Sequence, residues 1–334
     1  IQSPFVEDFL KYTATLQQDN TPLLDILWRY YERNKNYIAA ARILDQLARK
    51  ESVELTLSRR LEYISRAVMY AKSCGSVSSV SGEGEFLHEL EEKMEVARIQ
   101  LSILQGIQSL HHSQHTQQAI TELNSKLMDV SQLYGEFADP YNLSECKLSI
   151  VHCAGHFDVT LIESLWSEII EQELQSTLGN DRDTRTQSMR DRLLRLGKLY
   201  SRNDSYFPTA YLIKLLEQHS CQLGWDPGFI PDIFHQVGVS YSTLFTLYNN
   251  LFEEKDTFWG SVGRPLHVLS VLLALLSAYT ANSSLVATKH FSVAIDKYLV
   301  ELQTLDPSTP DINTLTAGLR NLKRELQRNL DTIK

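Results

Sequence analysis

The sequence predicts an all-α protein, an irregular elongated α-solenoid of antiparallel helix pairs with one long central helix. Three observations carry that expectation. Apolar residues recur at three- and four-residue spacing along nearly the whole chain. The 14 Gly and 9 Pro among 334 residues are too few for an all-β protein with frequent tight turns. The 43% hydrophobic content is ample for helices that stack on their neighbours without enlarging one central core.

One helical stack is expected over 1–334, as a piece of a larger chain, subdivided into 21–73, 83–138 and 142–334. Thr21-Pro22 reads as a helix start with a capping hydroxyl, and Leu24, Leu27, Trp28 and Tyr31 mark one face of the helix that follows. After Asn34-Lys35-Asn36, a second face comprises Tyr37, Ala40, Ala41, Leu44, Leu47 and Ala48. Two amphipathic helices joined by so short a turn pack antiparallel, and the small residues at 39–41 permit close approach. A third helix from Ser58 turns Leu61, Ile64, Val68 and Ala71 inward and ends at the Ser/Gly-rich stretch Ser73 to Gly82.

The central helix is the most informative segment. Leu87, Leu90, Met94, Ala97, Leu101 and Leu104 lay one seam along it, and neither Gly nor Pro interrupts it from Glu85 to Gln105. At roughly 1.5 Å per residue it is a rod of about 30 Å. Glu89 and Lys93 stand in the favoured i, i+4 order on its charged side. A polar loop over His111 to Gln118 precedes a returning helix from Ala119 to Phe137, closed by Asp139-Pro140. Asn142-Leu-Ser-Glu145 has the spacing of a capping box. Helices are then expected over 143–154, 159–176, 187–201, 208–223, 228–237, 241–254, 265–281, 285–304 and 311–331. No repeat of fixed length recurs, which excludes a regular tetratricopeptide array.

Charge and motifs narrow the function. With 41 acidic against 32 basic side chains, the net charge of −9 gives no general attraction to nucleic acid or anionic lipid, so other proteins are the expected partners. The most basic stretch, Arg182 to Arg202, is interleaved with Asp181, Asp183 and Asp191 and has no aromatic stacking platform, so it reads as a solvated helix face. Cys74, Cys146, Cys153 and Cys221 are few and dispersed, which suits a reducing compartment. Cys146, His152, Cys153 and His156 raise a zinc site, but helical spacing turns His152 and Cys153 about 100° apart. The cysteines read as core residues, and no metal or cofactor is expected. The run Leu266 to Tyr279 is shorter than the ~20 apolar residues of a membrane span and reads as a buried core helix. No nucleophile elbow, phosphate-binding Gly-rich loop or His-Glu-x-x-His is present, so no catalytic residue is assigned.

Several stretches carry a resemblance: Leu27-Trp-Arg-Tyr-Tyr-Glu32, Ala40-Ala-Arg-Ile-Leu44, Gln46-Leu-Ala48, Arg60-Leu-Glu-Tyr-Ile64, Gly84 to Leu101, Leu133 to Pro140, Glu145-Cys-Lys-Leu148 and Ile150-Val-His-Cys-Ala-Gly155. Thinner matches follow at Leu216-Glu-Gln218, Phe258-Trp259 and Pro265-Leu-His267. Together they resemble the C-terminal solenoid of the inner-ring scaffold nucleoporin family of the nuclear pore complex. These are fold-defining words, with no catalytic content. The resemblance implies a structural scaffold at the nuclear envelope that supports nucleocytoplasmic transport. It also implies docking of short linear segments from two other nucleoporins, the membrane-apposed linker with an RNA-recognition-like fold and the autoproteolytic Phe-Gly-repeat nucleoporin. The family's β-propeller and its membrane contact are not carried over, because the likeness is to the distal solenoid alone.

For a docking site the sequence offers Phe245, Tyr248, Phe252, Phe258 and Trp259, the first three at helical spacing and the last two just beyond the helix end. Aromatic anchors at partly open places dominate peptide binding. The alternative for each is that it seals the stack. The rival reading of the whole chain is a helical-repeat adaptor of a vesicle coat or another large cytosolic assembly.

Overall fold

The computed structural model describes residues 21–74, 81–111, 113–282, 288–305, 309 and 311–331, with isolated positions 5, 8, 9, 12 and 13 before them. Among the described residues every regular element is helical, and the chain forms two compact units, Ile1–Asp158 and Val159–Lys334. The segment 142–158, which the sequence groups with the later stack, falls in the first unit. Residues 75–80 of the expected Ser/Gly-rich loop lie outside the described residues, as do His112 and Pro310.

The first unit begins with α1 (Thr21–Arg33), α2 (Tyr37–Arg49), α3 (Leu57–Cys74) and α4 (Ser81–Gln108). It continues with α5 (Gln114–Ser125), the short α6 (Val130–Gln132), a π-helical turn over Leu133–Ala138, and α7 (Ser144–Cys153). Asn36 caps α2 by accepting from the Ala39 amide at 3.3 Å, and Ala40 and Ala41 are fully buried, so the α2 backbone does come close to its neighbours. Two apolar clusters divide the rod α4. Its first half gives Phe86, Leu90 and Ala97 to a cluster with Leu27, Trp28, Leu44, Ile64 and Val68. Its second half gives Ile99, Ile103, Leu104 and Ile107 to a cluster with Leu123, Leu133, Phe137 and Ile150. The single seam expected from the sequence is therefore too narrow, because α5 and α7 both pack on the second half and bury a second stripe. The Glu89–Lys93 pair forms at 2.6 Å, and Lys93 also reaches Asp45 of α2 at 3.2 Å.

Three local expectations need correction. The helix expected from Ala119 to Phe137 is broken after Ser125. There the buried Gln100 side chain donates to the carbonyls of Leu123 and Lys126, both at 2.7 Å, and accepts from the Met128 amide at 3.0 Å. A tertiary partner thus replaces the missing intrahelical bonds. Ser113 starts α5 inside the supposed polar loop, through a capping box with Thr116. The N-cap of α7 is Leu143, without a side-chain capping bond, while Asn142 takes a left-handed φ of 52° that asparagine tolerates.

The second unit comprises α8 (Val159–Ser176), α9 (Arg182–Tyr200), α10 (Thr209–Leu223), α11 (Phe229–Val237), α12 (Tyr241–Glu253), α13 (Phe258–Ser261), α14 (His267–Asn282), α15 (Thr288–Thr304) and α16 (Ile312–Asp331). Asp181 caps α9 by accepting from the Thr184 amide at 3.0 Å, so that helix begins five residues before the expected start at 187. Gly224 ends α10 with φ 67°, the left-handed closure that glycine adopts at least cost. Gly197 lets α9 and α11 touch, since a Cβ there would lie 2.6 Å from Val237 Cγ2. The apolar helix α14 buries Val268, Leu269, Val271, Leu272, Leu275 and Leu276, as the sequence anticipates. Among the described residues no helix is long and apolar enough to cross a membrane.

Candidate functional site

The five aromatics singled out in the sequence occupy one region of the second unit, at different depths. Tyr248 on α12 is fully buried and donates to Glu217 Oε1 of α10 at 2.6 Å. His267, at the start of α14, hydrogen-bonds the other oxygen of Glu217 at 2.8 Å. Burial pushes the Tyr248 hydroxyl well above its ordinary pKa, and the adjacent Glu217 carboxylate adds to the effect. Trp259 of α13 stacks on the His267 ring, with centroids 5.3 Å apart. Glu217, Tyr248 and His267 are all sealed from solvent. The trio ties α10, α12 and α14 together, and no substrate could reach it.

Phe245 is also buried, edge-on to Phe291 of α15 at 4.7 Å. Phe252 and Phe258 are half-buried. Phe252 meets Tyr298 of α15 edge-on at 5.1 Å, and Phe258 meets Trp259 at 5.2 Å. A groove of about 280 Å³ opens beside them, walled by Leu251, Phe252, Trp259, Pro265, Leu269 and Leu305. Phe252 and Trp259 are thus the two of the five that wall this groove. Tyr248 and Phe245 belong to the packing behind it.

Local backbone chemistry shapes the groove. Lys255 ends the α12 segment in the left-handed region at φ 48°, which turns the chain sharply. Asp256 then accepts from the Phe258 amide at 3.0 Å and starts α13. That bond, helped by Lys214, lowers the Asp256 pKa. At the mouth, Lys255 pairs with Glu301 at 3.0 Å, and Lys214 bridges Glu254 at 2.8 Å and Asp256 at 3.3 Å. The site is therefore an apolar slot with a charged but internally paired rim, suited to an apolar side chain entering from a partner. Pro265 and Leu269 lie close enough in sequence to Trp259 to be suspected. Glu301 arrives from α15 and Leu305 from the position just after it, and no local pattern announces them.

The other candidates have structural roles. Cys146 and Cys153 are half-buried against the second cluster of the first unit. Burial pushes the Cys146 thiol up to about 12 and raises that of Cys153. In the basic stretch, Arg192 pairs with Glu173 at 2.7 Å, and Arg190 pairs with Asp232 while lying over the Phe229 ring. These arginines are tied to neighbouring helices.

The family model described as "Non-repetitive/WGA-negative nucleoporin C-terminal" matches residues 1–310. The chain is 32% identical over 338 residues to the nuclear pore complex protein Nup154 of Drosophila melanogaster, covering 99% of this chain and 24% of that protein. It thus spans about a quarter of that relative's length. The crystal structure of a quadruple mutant of the Chaetomium thermophilum Nup170 C-terminal domain superposes with a TM-score of 0.80 at 19% identity, covering 98% of this chain and 66% of that one. The same domain in complex with Nup145N superposes with a TM-score of 0.77 at 18% identity, covering 98% and 67%. At these identities the structural likeness establishes a shared fold.

Proposed function

The chain belongs to the non-repetitive/WGA-negative nucleoporin C-terminal family, and we infer that it is a structural scaffold segment of the nuclear pore complex at the nuclear envelope. Its work is to present helical surfaces to short linear segments of other nucleoporins. The observation that carries this reading is that the relative with the same fold, the Nup170 C-terminal domain, was crystallised in complex with Nup145N. An internally paired, motif-poor helical stack fits scaffolding better than catalysis. Family membership favours the pore over a coat adaptor.

The docking site we assign is the groove beside Phe252 and Trp259, backed by Phe245 and Tyr248 and flanked by Phe258. Its partners are the autoproteolytic Phe-Gly-repeat nucleoporin and the membrane-apposed linker nucleoporin with an RNA-recognition-like fold. Calorimetric titration of the chain with synthetic segments of both tests the reading. Phe252→Ala should weaken binding at least about tenfold while leaving the melting temperature near that of the parent. Full affinity in that variant, or binding of neither segment by the parent, overturns the assignment.

A further inference from the structure

A second groove, in the first unit, has a feature that the first lacks. It encloses about 520 Å³ between α4 and the stretch after α5, with Val96, Ala97, Leu127, Met128 and Val130 as its apolar lining. The chain between α5 and α6 is extended at both ends, with Lys126 at φ −152°, ψ 161° and Asp129 at φ −82°, ψ 167°. Gln100 occupies one edge of that stretch, bonding the Lys126 carbonyl and the Met128 amide as a neighbouring strand would. Successive residues of an extended chain present their main-chain groups to opposite edges. The Leu127 amide and carbonyl therefore face the other edge, and no hydrogen bond occupies them among the described residues.

The rim has a sign. Glu89, Glu92 and Asp129 line the groove against Arg49 and Lys93, and both bases already pair with the buried Asp45 of α2. Lys93 also pairs with Glu89, yet Asp45, Glu89, Glu92 and Asp129 outnumber the two bases, so the rim stays acidic on a protein that is itself acidic.

We propose that this groove docks an extended peptide of another protein, with alternating apolar and basic residues, which pairs its main chain with Leu127 and seats an apolar side chain against Val96 and Met128. The mode is strand addition at a one-residue edge, with Gln100 standing in for the strand behind it. It is independent of the groove in the second unit, so each can fail without the other.

The probe is a seven-residue peptide alternating lysine with leucine or valine, titrated into the whole chain by fluorescence anisotropy. Two further forms replace lysine by glutamate, or carry N-methyl groups on alternate main-chain nitrogens in either register. Saturable binding is expected for the lysine peptide. One N-methylated register and the Leu127→Pro variant should each lose about tenfold or more in affinity, and the glutamate peptide should lose at least as much. Should Leu127→Pro unfold, the N-methylated peptides give the same comparison on the unaltered protein. Absence of saturable binding, equal affinity of both N-methylated registers with the parent peptide, or equal affinity of the glutamate form would overturn the proposal.

Discussion

Arg60 Nε donates to the main-chain carbonyl of Asn124 at 3.1 Å, joining positions 64 residues apart. The same guanidinium, fully buried, also donates to the carbonyls of Ala48 at 2.9 Å and Ser52 at 3.0 Å, and to those of Lys50 and Ser125. The ends of α2 and α5 both leave carbonyls without intrahelical partners, and one five-donor side chain serves both. Asn124 completes the junction by accepting from the Leu57 amide at 3.1 Å. Burial lowers the Arg60 pKa, and the ring of carbonyls keeps the cation hydrogen-bonded.

Arg60→Met should therefore destabilise the first unit by roughly 3 kcal/mol or more, because several buried carbonyls lose their donor at once. Arg60→Lys should recover only part of this, since an ammonium group cannot reproduce the planar fork. Urea denaturation followed by circular dichroism measures both. An Arg60→Lys protein as stable as the parent would mean that charge alone, without the fork, holds the junction.

Leu90→Asp tests the rod. Leu90 is fully buried in the cluster that α1, α2, α3 and α4 share. A carboxylate there would be desolvated among apolar side chains, and the expected loss is at least about 3 kcal/mol. A melting temperature equal to that of the parent would show that this half of α4 carries no core.

The contrast between Leu90 and Arg60 shows what the sequence makes legible. Leu90 stands out because a helix writes its buried face locally, at three- and four-residue spacing, and caps and prolines mark most of its ends. Helix existence and the buried α14 could be read for that reason. Arg60 and Gln100 could not, since their partners lie far along the chain and a buried polar residue looks like a surface one in a local pattern. The same limit applies to the groove beside Trp259. Phe252 and Trp259 are visible as aromatics, whereas Leu305 and the Glu217–His267 pair behind the wall come from contacts that periodicity does not encode.

Alkaline pH should weaken the fold. Burial raises the Cys146 thiol to about 12 and the Tyr248 hydroxyl well above its ordinary value. In both, the folded state favours the neutral form. Their contribution is fully present below the unfolded-state pKa values, about 8.5 for cysteine and about 10 for tyrosine, and is lost as pH rises toward the folded values. Each such group costs up to about 1.4 kcal/mol per pH unit across its window. Denaturation midpoints measured from pH 8 to 11 should fall, and Tyr248→Phe should flatten the upper part of the curve. A midpoint independent of pH over that range would contradict the burial of both groups. Cys146 should also resist alkylation at pH 8 until the chain unfolds.

The groove of the second unit can be dissected because its two wall aromatics differ in how firmly they belong to the core. Trp259 is 5% exposed and stacks on His267, which is held by Glu217. Trp259→Ala removes that stack and leaves a cavity, at an expected cost of about 3 kcal/mol or more. A loss of peptide affinity in that variant would be ambiguous by itself. Phe252 is only half-buried and touches Tyr298 by its edge, so Phe252→Ala should cost about 1–2 kcal/mol of stability. Trp259→Phe keeps an aromatic ring over His267 while trimming the wall of the groove. If the groove docks nucleoporin segments, Phe252→Ala and Trp259→Phe should both weaken binding at near-parental melting temperature, whereas Trp259→Ala should lower both quantities. Unaltered affinity in the two mild variants would return both aromatics to a purely structural role.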